Sequence, residues 1–220
     1  MIPAETSARL FLCAILLPAW VWAASSEEEM FFKGVSEVNE GGLRFLPSPP
    51  EKPVHHHQNH VFLGEDSLNT GWVRLEQCHQ HLDPVPSMQI VYNLERIRDI
   101  RVERRENIGK AWVHEHTVQM EQVEANALIC IRAETRALSS DGEGIYSLAN
   151  GPYMRRFLDG YYPMRVSMKV SIETPRIGFL DVEPRAQPGF AVSHNGNEVG
   201  YDAWFEGRLT TLIRFRRNPD

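Results

Sequence analysis

The sequence predicts an all-β fold, either an antiparallel β-sandwich or a partly open barrel, with little helix. From Met164 to Ile172 apolar and polar residues alternate, which is typical of a strand with one buried and one solvated face. The pairs Asp141-Gly142 and Asn195-Gly196 lie between apolar or alternating runs, and such pairs supply the positive φ angles of tight hairpins. Amphipathic helix patterns are nearly absent, so an antiparallel arrangement of short strands is the economical solution.

Further strands are predicted from similar apolar runs along the chain. They cover residues 72–78, 89–94, 97–102, 111–120, 127–138, 177–182 and 209–215. A helix remains an alternative only for residues 87–98, where Val91, Leu94 and Arg98 would share one face.

Residues 1–23 are predicted to be a cleaved signal peptide. The apolar run from Leu10 to Ala24 is shorter than the ~20 residues of a membrane span, and it contains the small residue Ala23 near its end, as a secretory segment does. Cys13 lies inside this run instead of at its end, so a lipid anchor is not expected. We therefore expect a periplasmic or secreted mature protein without a membrane span.

The mature chain is predicted to have two parts. Residues 24–54 form an arm that is first acidic and then rich in proline, in which only Met30-Phe31-Phe32 and residues 43–46 are expected to dock. Residues 55–220 have the length of a single β-rich domain and show no internal repeat.

The charge balance argues against a nucleic-acid partner. The formal net charge is −6 at pH 7, and phosphate backbones require a basic surface. The basic cluster Arg214, Arg216 and Arg217 stands close to Asp220 and the terminal carboxylate, which favours a solvated strand and tail. An unknown protein or small molecule remains as the expected partner.

Once the signal peptide is removed, Cys78 and Cys130 are the remaining cysteines. In an oxidising compartment they are predicted to form a disulfide, and two separate buried thiols are the alternative. Period-two counting places Cys78 on the polar face with Arg74 and Glu76. The bond is therefore expected near the sheet margin or across its outer face, unless a bulge near Gln77 shifts the count.

Around the two cysteines the sequence resembles an immunoglobulin-type domain. Residues 71–78 are similar to an inner strand that ends in a cysteine, and residues 118–130 to the approach to its partner on the opposite sheet. The expected core tryptophan is missing, with Tyr92 in its neighbourhood, and no tyrosine precedes Cys130 by two residues. The resemblance implies a sandwich architecture and no particular function.

Histidines are concentrated in residues 55–116, which hold all of them except His194. Residues two apart on a strand face the same side, so two such pairs on neighbouring strands could surround one zinc or copper ion. The candidate ligands are His79, His81, His114 and His116. A second cluster, residues 55–60, is a candidate chelating tail, and for both groups ordinary solvated histidines are the alternative.

Enzyme motifs are missing from the sequence. It contains no G-x-S-x-G elbow, no Walker loop and no dinucleotide fingerprint. Acid/base pairs of His79 or His194 with a carboxylate are possible, and the carboxylates in question are Asp83, Asp159, Asp202 and Glu206. Because any domain of this composition offers such pairs, no catalytic residue is predicted.

Residues 151–163 combine aromatic residues, paired arginines and turn formers just before the clearest strand. These residue types are enriched at binding hot spots, which makes the segment a possible binding loop. Its candidate residues are Tyr153, Arg155, Arg156, Phe157, Tyr161 and Tyr162. The alternative is that Phe157, Leu158, Tyr161 and Tyr162 close one end of the sandwich while the arginines stay solvated.

Taken together, these observations predict an exported, non-enzymatic binding or accessory domain of unknown ligand. A metal-binding protein that uses the clustered histidines is the alternative from another class. An unrecognised hydrolase comes third.

Overall fold

The computed structural model describes residues 41–219, which form a mostly β structure with a short helix. The strands are β1 (Arg44–Phe45), β2 (His56–Leu63), β3 (Trp72–Leu82), β4 (Val85–Val91), β5 (Ile97–His114), β6 (Thr117–Arg136), β7 (Leu138–Ser140), β8 (Ile145–Tyr153), β9 (Arg155–Phe157), β10 (Gly160–Tyr162), β11 (Met164–Ile172), β12 (Ile177–Glu183), β13 (Phe190–Asn195), β14 (Glu198–Glu206) and β15 (Leu209–Arg217). Helix α1 (Glu65–Thr70) joins β2 to β3, and a 3-10 turn (Leu94–Arg96) precedes β5. The predicted all-β, sandwich-like fold is confirmed, and the sheets do not close into a barrel.

Two sheets pack on one another. The large sheet has the strand order β1-β14-β11-β2-β3-β6-β4, with β13 also paired to β14 and β5 also paired to β6. The small sheet has the order β12-β15-β8-β7, and β9 and β10 form a separate hairpin. The pairing of β2 with β11 is parallel, and the other pairs are antiparallel.

The main core fills the space between the sheets. The apolar residues of β11 enter it from the large sheet, and Ile213 and Phe215 of β15 enter it from the small sheet. The alternation that predicted β11 is thus an alternation of burial. A second, smaller core surrounds Val118 and Met120 of β6, where that strand runs between β4 and β5.

The helical alternative for residues 87–98 is wrong. Met88 and Ile90 of β4 pack against the second core with a period of two, while Val91 and Leu94 are 58% and 67% exposed. The strand predicted over residues 111–120 is also interrupted, because the chain turns between β5 and β6 at Glu115, which has a φ of 51°. The sequence carries no Asn-Gly or Asp-Gly pair there to indicate a hairpin.

The described end of the predicted arm docks on the domain. Arg44 and Phe45 form β1, which pairs with the end of β14, and the Phe45 ring centroid lies 5.3 Å from that of Phe190. The predicted signal peptide and Met30-Phe31-Phe32 lie outside the described residues. Within residues 41–219, no helix combines the length and the apolar character needed to cross a bilayer.

Cys78 and Cys130 form a disulfide between neighbouring strands of the large sheet. They are directly opposed in the β3–β6 pair with Cα atoms 4.1 Å apart, close to the ~4.5 Å of a non-hydrogen-bonded antiparallel pair. The bond shares the outer face with the ion pair of Glu76 and Arg132, whereas Gln77 points inward. The alternation therefore predicted the correct face, and the opposite-sheet position implied by the immunoglobulin resemblance is wrong.

Candidate functional site

The candidate site is a set of polar side chains on the inner face of β2 and β3. Both strands carry apolar residues at one end of this face and then change to an amide followed by an imidazole. In register, the facing pairs are Val61 with Leu75, Asn59 with Gln77, and His57 with His79. The neighbouring strands β11 and β6 stay apolar at the same level, with Val166, Met168, Ile129 and Ile131. We call Asn59, Gln77, His57 and His79 the polar patch.

Gln77 is the central hydrogen-bond acceptor of the polar patch. Its Oε1 accepts from the Tyr92 hydroxyl at 2.7 Å and from Nε2 of His79 at 3.2 Å. Because an amide oxygen can only accept, His79 carries its proton on Nε2. Burial, assisted by the His57 and His55 rings, holds the pKa of His79 well below its usual value. The ring is therefore neutral, and its Nδ1 accepts a hydrogen bond from Nε2 of His55 at 3.0 Å.

Asn59 connects the polar patch to the small sheet. Its Oδ1 accepts from Nε2 of Gln77 at 2.9 Å and from Nε2 of His57 at 3.1 Å. Its Nδ2 donates to the hydroxyl of Tyr153 on β8 at 3.0 Å. These bonds offset the cost of burying the polar groups and fix their orientation.

The imidazoles of His55 and His57 are also uncharged near neutral pH. Burial is the largest cause, and it lowers the pKa of His57 to about 3 and that of His55 to about 4. Asp83 acts against the shift at His55 and Arg155 adds to it. Since both neutral rings carry their proton on Nε2, the other nitrogen, Nδ1, has a free lone pair.

Three members of the polar patch, His57, Gln77 and His79, line a cleft of about 320 Å³, which we call the histidine cleft. Its walls are His55, His57, Gln77, His79, Ile90, Val91, Tyr92, Gly151, Pro152, Tyr153, Met154 and Met164. Val91 and Met154 are partly exposed, so apolar side chains at the rim accompany a polar floor, as in many small-molecule sites. Gly151 has a φ of +96°, and a Cβ there would lie 2.5 Å from the carbonyl oxygen of Leu209, so this wall requires glycine.

The four predicted metal ligands are not brought to one point. His114 pairs with Thr117 at the start of β6, whereas His79 pairs with Ile129, far along the same strand. His79 also uses both of its ring nitrogens in hydrogen bonds. Within the described part of the chain, no group of three or more His, Cys, Asp or Glu side chains is arranged to hold a metal ion. The zinc or copper site predicted at His79, His81, His114 and His116 therefore has no structural support.

The second histidine cluster is a strand and not a tail. His56 lies on the outer face of β2, where its Nδ1 accepts from Gln58 at 3.0 Å and its Nε2 therefore donates to the Ser167 hydroxyl at 2.7 Å. Ser167 in turn donates to Asp202 at 2.7 Å, and Arg165 binds both oxygens of that carboxylate. A catalytic histidine must accept the serine proton, and here the direction is reversed, so this arrangement does not support a hydrolase.

The other carboxylates considered for acid/base chemistry have different partners. These pairs are Asp83 with Arg155, Asp159 with Tyr162, and Glu206 with Arg44, while the ring of His194 bonds the carbonyl of Gly196. No hydrogen bond joins His79 or His194 to one of these carboxylates in residues 41–219.

The predicted binding loop is divided between core and surface. Tyr153 and Tyr161 are buried, whereas Phe157 and Leu158 at the tip of the β9–β10 hairpin are 43% and 110% exposed. Arg155 is held by a two-pronged ion pair with a carboxylate. The remaining members, Arg156 and Tyr162, pack on the rings of Tyr161 and Phe157 respectively. The alternative that Phe157, Leu158, Tyr161 and Tyr162 close one end of the sandwich has no support, because Phe157 and Leu158 are exposed. Tyr161 is buried but belongs to neither core.

Sequence reasoning placed His57 in a candidate chelating tail and missed Asn59 and Tyr92 as site residues. A signal was present, because every second residue from His57 to Leu63 lies on one strand face that ends in valine and leucine. Histidine and asparagine are uncommon core residues, so residue type alone does not indicate a buried face there. Tyr92 continues the period-two face of Met88 and Ile90, but its contact with Gln77 of another strand has no local signal.

Comparisons with known proteins assign no family. No protein-family model matches the sequence, and no curated protein is significantly similar to it. Among solved structures, an M1 zinc metallopeptidase from Deinococcus radiodurans matches at 11% identity and a TM-score of 0.39, over 80% of this chain and 43% of that one. A mutant of it bound to a Tyr-Ser-Ala substrate matches at 12% identity and a TM-score of 0.41, over the same shares. The chain thus spans less than half the length of these proteins, and a likeness this slight assigns no activity.

Proposed function

We propose that this chain is an exported, non-enzymatic binding domain whose ligand occupies the histidine cleft. The observation that carries the proposal is the polar patch at the floor of an open cleft, within a strand face that is otherwise apolar. Apolar side chains at these positions would pack against the flanking strands without a desolvation cost. Polar side chains that are retained at these positions despite their cost in stability are expected at a binding site.

The chemistry of the cleft walls supports binding over catalysis. The walls contain no carboxylate, no thiol and no serine or threonine hydroxyl. Burial raises the pKa of the Tyr92 hydroxyl, which also donates its proton to Gln77, so this group is a poor nucleophile. The imidazoles of His57 and His79 are neutral and are held by their neighbours. Such groups orient a ligand through hydrogen bonds and lone pairs.

Export is supported by the apolar N-terminal run and by the disulfide in the described domain. The intact mass of protein recovered from the native host should correspond to a chain that begins at Ala24. A chain that retains Met1 in the membrane fraction would contradict cleavage of the signal peptide.

The cleft itself is tested with a rim substitution and a matched control. Val91→Trp places a bulky ring at the mouth of the cleft, and Leu94→Trp places the same ring at another exposed position that does not line it. Both variants should fold, because both side chains are exposed. Binding of amino acids, sugars and aliphatic amines is then followed by the NMR signals of the histidine rings.

The proposal expects at least one of these classes to shift the signals of His57 and His79. Val91→Trp should abolish that binding, and Leu94→Trp should leave it unchanged. If every binding compound tolerates Val91→Trp, the histidine cleft is not the binding site.

A further inference from the structure

Strand β8 has one edge that is only partly covered. β7 pairs with β8 as far as Leu148, and among the described strands none continues this row beyond that residue. The N–H of Asp141 donates to the carbonyl of Ile145, so every second residue of β8, counted from Ile145, directs its backbone groups to the β7 side. Ala149 therefore turns its N–H and C=O, and Gly151 its N–H, away from β15. Both residues are exposed.

This free edge lines a groove between the two sheets. Ala149 and Gly151 form part of the wall of a cavity of about 260 Å³, together with Ala137, which directly precedes β7. This cavity and the histidine cleft have wall residues in common, which are Gln77, Tyr92, Gly151 and Tyr153. The two spaces are therefore neighbouring parts of one groove, which we call the β8 groove.

The β8 groove has the chemistry that recognises an extended peptide. Free backbone groups at a strand edge bond the backbone of an added strand, and cavities beside that edge receive every second side chain of it. The cavity next to Ala149 is partly apolar, with walls that include Val61, Leu75, Ile97 and Met168. An apolar side chain of the peptide therefore fits there.

A peptide in this row must end beside Ala149, because β7 occupies the next positions. Arg96 lies at that point, since its Nε donates at 2.9 Å to the carbonyl of Arg136, one residue before Ala137, and its side chain lines the cavity. Of the described residues that line the β8 groove, none carries a carboxylate. A positive charge attracts a C-terminal carboxylate and repels an N-terminal amine. The charge therefore favours a peptide antiparallel to β8, the direction in which β7 also runs.

We propose that the β8 groove binds the C-terminal segment of a peptide, which adds to β8 as a strand and places its carboxylate at Arg96. One peptide N–H donates to the carbonyl of Ala149, and peptide carbonyls accept from the N–H groups of Ala149 and Gly151. The proposal rests on the function proposed above, because the upstream part of the peptide enters the histidine cleft, and it names the ligand class.

The test uses acetylated hexapeptides in which threonine alternates with valine, leucine or phenylalanine, each with a free C-terminal carboxylate. Binding to the mature protein is measured by isothermal titration calorimetry. Two further sets keep the side chains and remove one interaction each. The first set has a C-terminal amide, and the second is N-methylated at each residue in turn.

Two substitutions, each with a matched control, test the protein side. Ala149→Pro removes a donor that faces away from β15, and Ala149→Ser keeps that donor. Arg96→Gln removes the charge at the end of the groove. Arg101→Gln removes the same charge at an exposed position that does not line the groove.

At least one of the hexapeptides should bind, and N-methylation should abolish binding only at alternate residues, whose amides face β8. Ala149→Pro should weaken binding by at least about tenfold, and Ala149→Ser should not. Arg96→Gln should weaken binding of the free carboxylate by about fivefold at low salt and leave binding of the amide unchanged. Arg101→Gln should alter neither.

Hydrogen exchange reports the added strand directly. The amides of Ala149 and Gly151 should become protected in the complex, whereas that of Asn150, which faces β15, should change little. This measurement and the N-methyl series use the unchanged protein, so they decide the matter even if Ala149→Pro does not fold.

Several results overturn the proposal. They are no peptide binding, an N-methyl series without alternation, and equal affinity for carboxylate and amide. A dimer of the unbound protein that Ala149→Pro dissociates also overturns it, because a second copy then occupies the edge.

The fate of the proposed function can be read separately. Small-molecule binding that depends on Val91, without any peptide binding, keeps the histidine cleft as the binding site and overturns the peptide. Peptide binding that is lost in Ala149→Pro but tolerates Val91→Trp supports the β8 edge and overturns the histidine cleft.

Discussion

The pair of strands β2 and β3 has an apolar half and a polar half, joined by one continuous backbone. In the apolar half, Val61 faces Leu75 and both are buried in the main core. In the polar half, the same inward positions hold the polar patch, whose members bond one another and Tyr153. The apolar half gains free energy from burial, whereas the hydrogen bonds of the polar half do little more than offset desolvation.

The difference shows where this sheet needs support from outside its core. The disulfide lies on the outer face of the polar half, since Cys78 stands between Gln77 and His79 on β3. The apolar half has no disulfide behind it among the described residues. We infer that the covalent link compensates for the weaker inner packing of the polar half.

The largest expected effect comes from removing this link. Cys78→Ala with Cys130→Ala opens a loop between residues 52 apart in sequence, which costs about 4 kcal/mol in the chain-entropy model. Urea unfolding of the oxidised protein and of the double variant measures the difference. Hydrogen exchange should show that the amides of Gln77 and His79 lose protection before that of Leu75. Equal loss in both halves would contradict the compensating role.

The second effect compares one substitution in each half. Gln77→Leu leaves the Tyr92 hydroxyl and Nε2 of His79 without an acceptor, so we expect a loss of about 2 kcal/mol or more in the free energy of unfolding. Leu75→Met, two positions earlier on the same face, keeps volume and polarity and should cost less than about 1.5 kcal/mol. Denaturant titration decides between them. If Gln77→Leu is the milder change, the polar network does not hold the site together.

The apolar half and most strands could be predicted from sequence, and the polar half could not. Alternation in β11 reports burial directly, because its inward residues are all apolar. In β2 the same alternation passes from valine to asparagine and histidine, and a pattern search based on polarity loses the strand at Asn59. The period was intact, and only the chemistry of the buried face changed.

The site also depends on contacts that no local pattern encodes. Tyr92, which continues the inward face of β4, bonds Gln77 of another strand, and Met154 reaches the cleft from a different sheet. The outer position of the disulfide was predictable, since alternation along β3 alone decides which face of the sheet Cys78 lies on. Alternation is a local property, whereas assembly of the cleft requires the complete topology.

The smallest effect concerns the pH dependence of the polar half. The pKa of His57 is lowered to about 3 by burial, while the unfolded chain has a value of about 6.5. Above the unfolded value both states are neutral at this residue, so its contribution to stability is fully present. As pH falls below about 6.5, His57 binds a proton in the unfolded state but not in the folded state. Stability then declines by up to about 1.4 kcal/mol per pH unit from this residue, until the folded value is reached.

The measurement compares urea midpoints at pH 7 and pH 5 for three proteins. His57→Phe keeps a ring of similar size but cannot titrate, so its stability should fall less between the two pH values than that of the unchanged chain. His114→Phe is the control, because His114 is exposed on β5, and it should keep the full decline. Ending the comparison at pH 5 avoids most protonation of carboxylates, which begins nearer pH 4. If His57→Phe retains the whole decline, protonation in the polar half is not what separates it from the apolar half.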